Sequence, residues 1–287
     1  MNTRYALGID IGGSGIKGAI VDLKKGEFAV DRLRIPTPRP ATPEAVAAIV
    51  KQIADHFSAE LGDAPIGITV PAVVTHGITR SAANIDPSWV DAPAERIFEE
   101  ALGRPITLVN DADAAGIAEV RWGAAKDHPG LVIVTTLGTG IGTAVIHKGV
   151  LIPNQELGHI EMNGADAEPQ AAASVKDREE LSYETWATER LQPYYERLEF
   201  LTWPDLIVVG GGVSKNAQKF LPLLKLKTPI VPAHLRNAAG IVGAAWLAVD
   251  RLANPDELKD LTPEDIKRMA PEKIKSEAKK AKKDKKK

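Results

Sequence analysis

Gly13-Ser14-Gly15-Ile16-Lys17-Gly18-Ala19-Ile20-Val21 and Gly138-Thr139-Gly140-Ile141-Gly142-Thr143-Ala144-Val145-Ile146 are two versions of one pattern, 125 positions apart. Each reads as a Gly/Ser/Thr turn between β-branched runs: strand, tight polar turn, strand. Turns of this kind present backbone N–H groups and hydroxyls to an anion. Two of them, opening two halves of a chain, imply a duplicated domain closing on one phosphate-bearing ligand.

Outward from the first copy, residues 5–11, 16–23 and 28–35 read as three consecutive strands. A proline-rich connection follows, from Pro36 to Pro43. Val46, Ile49, Val50, Ile53 and Phe57 then share one helical face. Residues 66–70 read as a strand stopped by Pro71, and 94–102 as a short helix closed by Gly103 and Pro105. A strand at 106–109 leads to a helix over 113–121. The second half opens with a hairpin at 131–137 and 141–147. Residues 179–198 read as one long helix, 206–209 as a buried strand ending in Gly210-Gly211-Gly212, and 238–252 as an Ala-rich helix. This order predicts an α/β protein with a helix-covered mixed sheet in each half and a ligand at the strand ends between them.

Gly13-x-Gly15-x-x-Gly18 matches a dinucleotide fingerprint, but that fingerprint must open a helix and this one opens a strand. No G-x-x-x-x-G-K-[ST] is present, so the chain has no P-loop of that type. A phosphate-binding β-hairpin remains. Asp10 lies just before the glycines, where a carboxylate either holds a hydrated Mg²⁺ or fixes the turn by accepting backbone N–H groups.

Hydrophobic residues make up 44% of the 287, enough for a sizeable core, and no apolar run approaches the roughly 20 residues of a membrane span. The N-terminus leads straight into a strand without a signal-peptide core. Cysteine is absent, so no disulfide or cysteine-based zinc site is expected. A cytoplasmic protein with no membrane or nucleic-acid partner is the expectation. Charge is unevenly placed: over 271–287 nine lysines face three carboxylates, leaving −8 on the rest of a chain whose net charge is −2. That tail is either a solvated terminus or an electrostatic collector for a polyanion.

Three segments resemble those of the sugar kinase/actin/Hsp70 ATPase superfamily. Residues 10–18 resemble its phosphate-1 segment, Leu137-Gly-Thr-Gly-Ile-Gly-Thr143 its phosphate-2 segment, and Gly210-Gly-Gly-Val-Ser214 its adenosine or distal phosphate segment. The resemblance implies a two-lobed actin-like ATPase (ribonuclease H-like) fold with a mixed sheet in each lobe and a sugar site in the interlobe cleft. One lobe would span 1–109, completed by a helix at about 238–252; the other would span 110–237, and 253–287 would be a Lys-rich tail. Donor contacts are then expected from Asp10, Gly12, Gly13, Ser14, Gly15, Lys17, Gly138, Thr139, Gly140, Gly211, Gly212 and Lys215, with Asp10 reaching Mg²⁺ through water.

Val109-Asn110-Asp111-Ala112-Asp113 passes from strand to helix. Asp113 can serve as a helix N-cap. Asp111 would face the cleft, where phosphoryl transfer needs a carboxylate to accept the acceptor hydroxyl's proton. Asn110 is expected on a sugar hydroxyl. Glu156-Leu157-Gly158-His159 closely resembles the E-x-G-H segment of ROK-family sugar kinases (repressor, open reading frame, kinase), in which this Glu and His contact the pyranose. Most members carry a Cys-rich zinc motif after that His. Here Asn163-Gly-Ala-Asp-Ala-Glu168 replaces it, so no zinc is expected. The chain therefore resembles the cysteine-free subgroup, which contains polyphosphate glucokinases and polyphosphate/ATP glucomannokinases. Ala83-Asn84-Ile85-Asp86, Leu181-Ser-Tyr-Glu-Thr-Trp186 and residues 204–215 fit that subgroup. By resemblance, Asn84 would touch the sugar and Glu168 would supply its second glutamate.

The resemblance implies a homodimeric glucokinase that moves the terminal phosphoryl group of polyphosphate, ATP or both to the 6-hydroxyl of glucose, with mannose as a further substrate. An ATP-only hexokinase for another hexose and a non-catalytic sugar-binding protein are the alternatives. Lys17, Arg121 and Lys215 stand near the predicted loops, either as contacts to a polyphosphate or as solvated surface.

Overall fold

The computed structural model describes residues 3–82 and 85–254. Asn84 and the lysine-rich tail lie outside them. The strands are β1 (Tyr5–Gly12), β2 (Gly15–Asp22), β3 (Glu27–Phe28), β4 (Leu33–Ile35), β5 (Ile66–Val70), β6 (Val74–Thr75), β7 (Ile78–Thr79), β8 (Thr107–Asn110), β9 (Leu131–Leu137), β10 (Ile141–His147), β11 (Val150–Ile152), β12 (Glu161–Met162), β13 (Ala165–Asp166), β14 (Leu206–Gly210) and β15 (Ile230–Pro232). The helices are α1 (Pro43–His56), α2 (Ser58–Leu61), α3 (Ala94–Leu102), α4 (Asp111–Trp122), α5 (Glu168–Ala171), α6 (Ala173–Arg178), α7 (Tyr183–Trp186), α8 (Gln192–Thr202) and α9 (Ala239–Ala253).

Two mixed sheets repeat one plan. The first runs β3-β2-β1-β5-β8 with β4 also on β2, and the second runs β11-β10-β9-β14-β15. In each, an antiparallel hairpin is followed by two parallel strands: β1/β2 with β5 and β8, then β9/β10 with β14 and β15. The duplication seen in the glycine segments therefore extends through the sheets. The two turns differ in length. Gly12 pairs with Gly15, so the first turn is Gly13-Ser14, whereas Leu137 pairs with Ile141 and the second turn spans 138–140.

Three elements differ from their sequence-based outlines. The expected strand 28–35 is two short strands on β2, because Ala19 and Ile20 face the longer stretch 29–32 in a bulge around exposed Asp31 and Arg32. The helix expected from 113 starts at Asp111, since Asn110 and not Asp113 caps it: Asn110 Oδ1 accepts from the Ala112 and Asp113 N–H groups. The long helix expected over 179–198 begins only after Ser182, whose hydroxyl accepts from Thr185 N–H, because Glu180 takes a left-handed φ of 51°. That run continues to Thr202 through a π-turn at 187–191, just before Pro193, which has no N–H to donate.

α9 lies against β1 and β5, α4 lies against β9 and β10, and the two helices pack on each other between the sheets. Their contact is backbone to backbone. A Cβ on Gly243 would fall 1.8 Å from the Ala114 carbonyl oxygen, so only glycine allows this approach. Separate apolar clusters fill the two halves. One centres on Ile9, Val50, Ile53, Ile68 and Phe98, the other on Ile133, Trp186, Tyr194, Tyr195 and Phe220. No helix among the described residues is long and apolar enough to cross a membrane.

Candidate active site

Both glycine turns open on one cavity of about 500 Å³ between the sheets. Gly12 and Gly13 of the first turn line it, with Gly138, Thr139 and Gly140 of the second and Gly211. Asp10, Asn110, Asp111, Glu156, His159 and Glu168 line the same space. These twelve predicted positions are separated widely in sequence, and the repeated sheet plan brings their strand ends together. Ser14 and Gly15 do not line it; Arg34 reaches over this turn and donates to the Ser14 carbonyl at 2.7 Å. Lys17 lines a smaller adjoining cavity, and Gly212 and Lys215 line another beside Thr139. Arg121 lies at neither: its guanidinium stacks 3.8 Å from the Trp246 ring centre.

Asp111 is the first residue of α4. Its Oδ1 accepts from the Ala112 N–H at 2.8 Å, leaving Oδ2 for a ligand. Burial, then the charges of Asp10 and Glu156, push its carboxyl up to about 7. A carboxylate at that value suits proton acceptance near neutral pH. Asp10 sits across from it on β1, its Oδ1 accepting from Thr69 Oγ1 at 3.0 Å and its Oδ2 3.2 Å from Lys17 Nζ. Asn110 is mostly committed to the fold. Besides capping α4, its amide donates to the Ala72 carbonyl at 3.1 Å, so one amide hydrogen remains for a sugar.

The 3₁₀ turn Leu157–His159 carries the sugar-type cluster. Thr143 anchors it, donating to the Gln155 carbonyl and accepting from Leu157 N–H. Gly158 is required here, since a Cβ would stand 2.0 Å from the Ile141 carbonyl oxygen. His159 Nδ1 lies 2.8 Å from Asp166 Oδ2, and its Nε2 lies 3.9 Å from Glu156 Oε2. Burial works against the charged imidazole, but the hydrogen bond and charge of Asp166, with Glu168 and Glu156 behind it, outweigh that and raise its pKa. Burial also raises the Glu156 carboxyl; His159 pulls it down and Glu168 pushes it up. Glu168 Oε2 accepts from the Ile141 N–H at 2.8 Å and so ties the second glycine turn to the sugar side.

Sequence reasoning missed several supports. Asp166 orients His159, and Ser174 braces the second turn by donating to the carbonyls of Gly138 and Thr139. Asn154 joins the halves: its N–H donates to Asp113 Oδ2, and its side chain bonds both backbone groups of Val74. Asp113 is thus buried structure rather than a cap, with its own carboxyl raised to about 7 by burial. Asp166 lies within residues 163–168, and its spacing from His159 is the available signal. The partners of Asn154 and Ser174 left no local trace.

Among the described residues, no three acidic or histidine side chains gather to hold a metal directly. One cavity-facing carboxylate, Asp10, fits instead the way Mg²⁺ is usually held, by one or two carboxylates, water and substrate phosphates.

A family model described as the ROK family matches residues 6–179. The chain is 51% identical over 247 residues to the polyphosphate glucokinase of Mycobacterium tuberculosis (strain ATCC 25618 / H37Rv), covering 86% of this chain and 92% of that one. It superposes on the inorganic polyphosphate/ATP-glucomannokinase from Arthrobacter sp. strain KM with a TM-score of 0.83 at 50% identity, covering 87% of this chain and 100% of that one. A ROK family glucokinase from Streptomyces griseus, solved with glucose and AMPPNP, matches with a TM-score of 0.70 at 25% identity, over 86% of this chain and 99% of that one. With its actin-like sugar kinase fold and these relatives, the chain belongs to the ROK family.

Proposed function

We propose that the chain is a glucokinase that takes the terminal phosphoryl group of inorganic polyphosphate, with ATP as a second donor, to the 6-hydroxyl of glucose. The observation that carries this reading is the single cavity lined by Asp111, two phosphate-type glycine turns and the Glu156–His159 pair, in a chain half identical to polyphosphate glucokinases.

Glu156, His159, Glu168 and the remaining Asn110 amide hydrogen bind sugar hydroxyls, since carboxylates and amides bond vicinal hydroxyl pairs. Asn84 keeps its proposed sugar contact on sequence grounds alone. Asp111 Oδ2 accepts the proton of the 6-hydroxyl as that oxygen bonds to the terminal phosphorus. The bond to the bridging oxygen breaks in line, and the electron pair leaves with ADP or the shortened polyphosphate. Backbone N–H groups of both turns stabilise the charge that develops. Asp10 would hold Mg²⁺ at the donor, where the ion would supply neutralisation of phosphate charge. Mannose is proposed as a second acceptor, following the name of the Arthrobacter relative.

The lobes are proposed as 1–109 with the helix from Ala239, and 110–237, supported by the seating of α9 on the first sheet and α4 on the second. Closure of these lobes would exclude water from the transfer. A cytoplasmic homodimer is also proposed. Phe200, Leu201 and Trp203 are exposed together at the end of α8, an apolar surface suited to a second copy. Sedimentation at micromolar concentration should find a dimer that Phe200→Glu dissociates; a wild-type monomer would end that part of the proposal.

Glucose 6-phosphate formed from glucose and either donor, and lost in Asp111→Asn, is the test of the activity. Turnover with ATP alone would favour the ATP-only hexokinase.

A further inference from the structure

The active-site cavity does not end at the glycine turns. Asp10, Asp111 and Gly211 also line the smaller cavity of about 180 Å³, and Ala233 and Arg236 carry that cavity into a groove of about 780 Å³. The groove presents Lys215, His234 and Arg236, all exposed, and no carboxylate lines it. Neither Lys215 nor Arg236 forms an ion pair among the described residues. This stands out in a chain that carries −8 outside residues 271–287. Lys215 also lines the other opening, beside Thr139 and Tyr183, where Asp177 is paired with Lys176 at 3.1 Å.

The turn bearing Arg236 is held in place from below. Buried Glu119 accepts from Leu235 N–H at 2.7 Å, His234 N–H at 3.0 Å and Ala124 N–H at 2.8 Å. Its carboxylate is occupied by three backbone donors, and the Arg236 guanidinium beside them forms no ion pair among the described residues.

We propose that this groove is a polyphosphate-chain subsite. The terminal phosphate reacts between the glycine turns, and the distal phosphates run past Arg236 and His234 towards Lys215. A polyphosphate offers repeated charge with no base to recognise, and spaced cations in an open groove meet that need. The inference rests on the glucokinase reading and adds the path of the donor.

The test compares wild type, Arg236→Ala and Arg236→Lys with long-chain polyphosphate, tripolyphosphate and ATP, using glucose as acceptor. Arg236→Ala should raise KM for the long chain roughly tenfold, the worth of one charge-assisted contact. It should flatten the salt dependence of that KM, and leave KM for tripolyphosphate and kcat with ATP within about twofold. Arg236→Lys should recover most of the loss. An unchanged KM for long chains, or an equal loss with ATP, would overturn the subsite, the second result placing the nucleotide in the groove instead. Failure of the wild type to phosphorylate glucose with any donor would sink the glucokinase reading, a result distinguishable from both.

Discussion

Asp111, with its carboxyl raised to about 7, is close to half protonated at neutral pH. A base must be deprotonated to act, so kcat/KM for glucose should climb as pH rises through about 7 and level off above it. A flat profile from about pH 5 to about pH 8 would deny Asp111 that role. Asp111→Asn should lower kcat roughly 10³-fold with glucose affinity nearly unchanged. The same elevation has a cost in stability. Between the ordinary carboxyl value of 3.8 and about 7, the folded protein holds a proton at Asp111 that the unfolded chain releases, and Asp113 behaves likewise. Stability from these groups is therefore complete below about pH 4 and is lost as pH rises towards and through about 7. At about pH 8, Asp111→Asn and Asp113→Asn should each be more stable than wild type by on the order of 1–2 kcal/mol, a gain that vanishes near pH 4. Denaturant unfolding at the two pH values measures it, and equal stabilities at both would contradict the account.

The elements that hold the site are joined by close backbone contacts, and Gly158 is the sharpest case. An added Cβ would meet the Ile141 carbonyl, part of a strand that cannot give way as a flexible side chain would. Gly158→Ala should displace the turn carrying Glu156 and His159, raise KM for glucose at least ~10-fold and destabilise the fold by about 1–3 kcal/mol. A normal KM, read in the same kinetic assay, would show that the turn does not position the sugar. Much of this level was legible in the sequence. The hairpin at 131–137 and 141–147 could be read to the residue, because β-branched runs and a Gly/Thr turn are local signals. That Asp10, Asp111, Glu156 and His159 line one cavity was legible because each sits in a short motif beside a strand end or tight turn. The start of α4 was not, because the competition between Asn110 and Asp113 for the cap is settled by Ala72 and Asn154, both distant in sequence. Glu119 stayed hidden for the same reason: its partner Leu235 lies 116 positions away.

At the scale of the molecule, the repeat has become two sheets of one plan, with α4 and α9 packed between them and one cavity at their hairpin ends. The two turns have separate surroundings. The first stands beside the Asp10–Lys17 pair, and the second is braced by Glu168 and Ser174. This asymmetry gives the proposed reaction a cation-bearing side and a sugar-linked side. The central claim is phosphoryl transfer from polyphosphate to glucose at this cavity. Its most direct measurement is the rate of glucose 6-phosphate formation by the purified chain, with long-chain polyphosphate and no nucleotide, in wild type and Asp111→Asn side by side. The account predicts steady turnover in the wild type and a loss of roughly 10³-fold in the variant. Product formation in neither protein, or at equal rates in both, would contradict it.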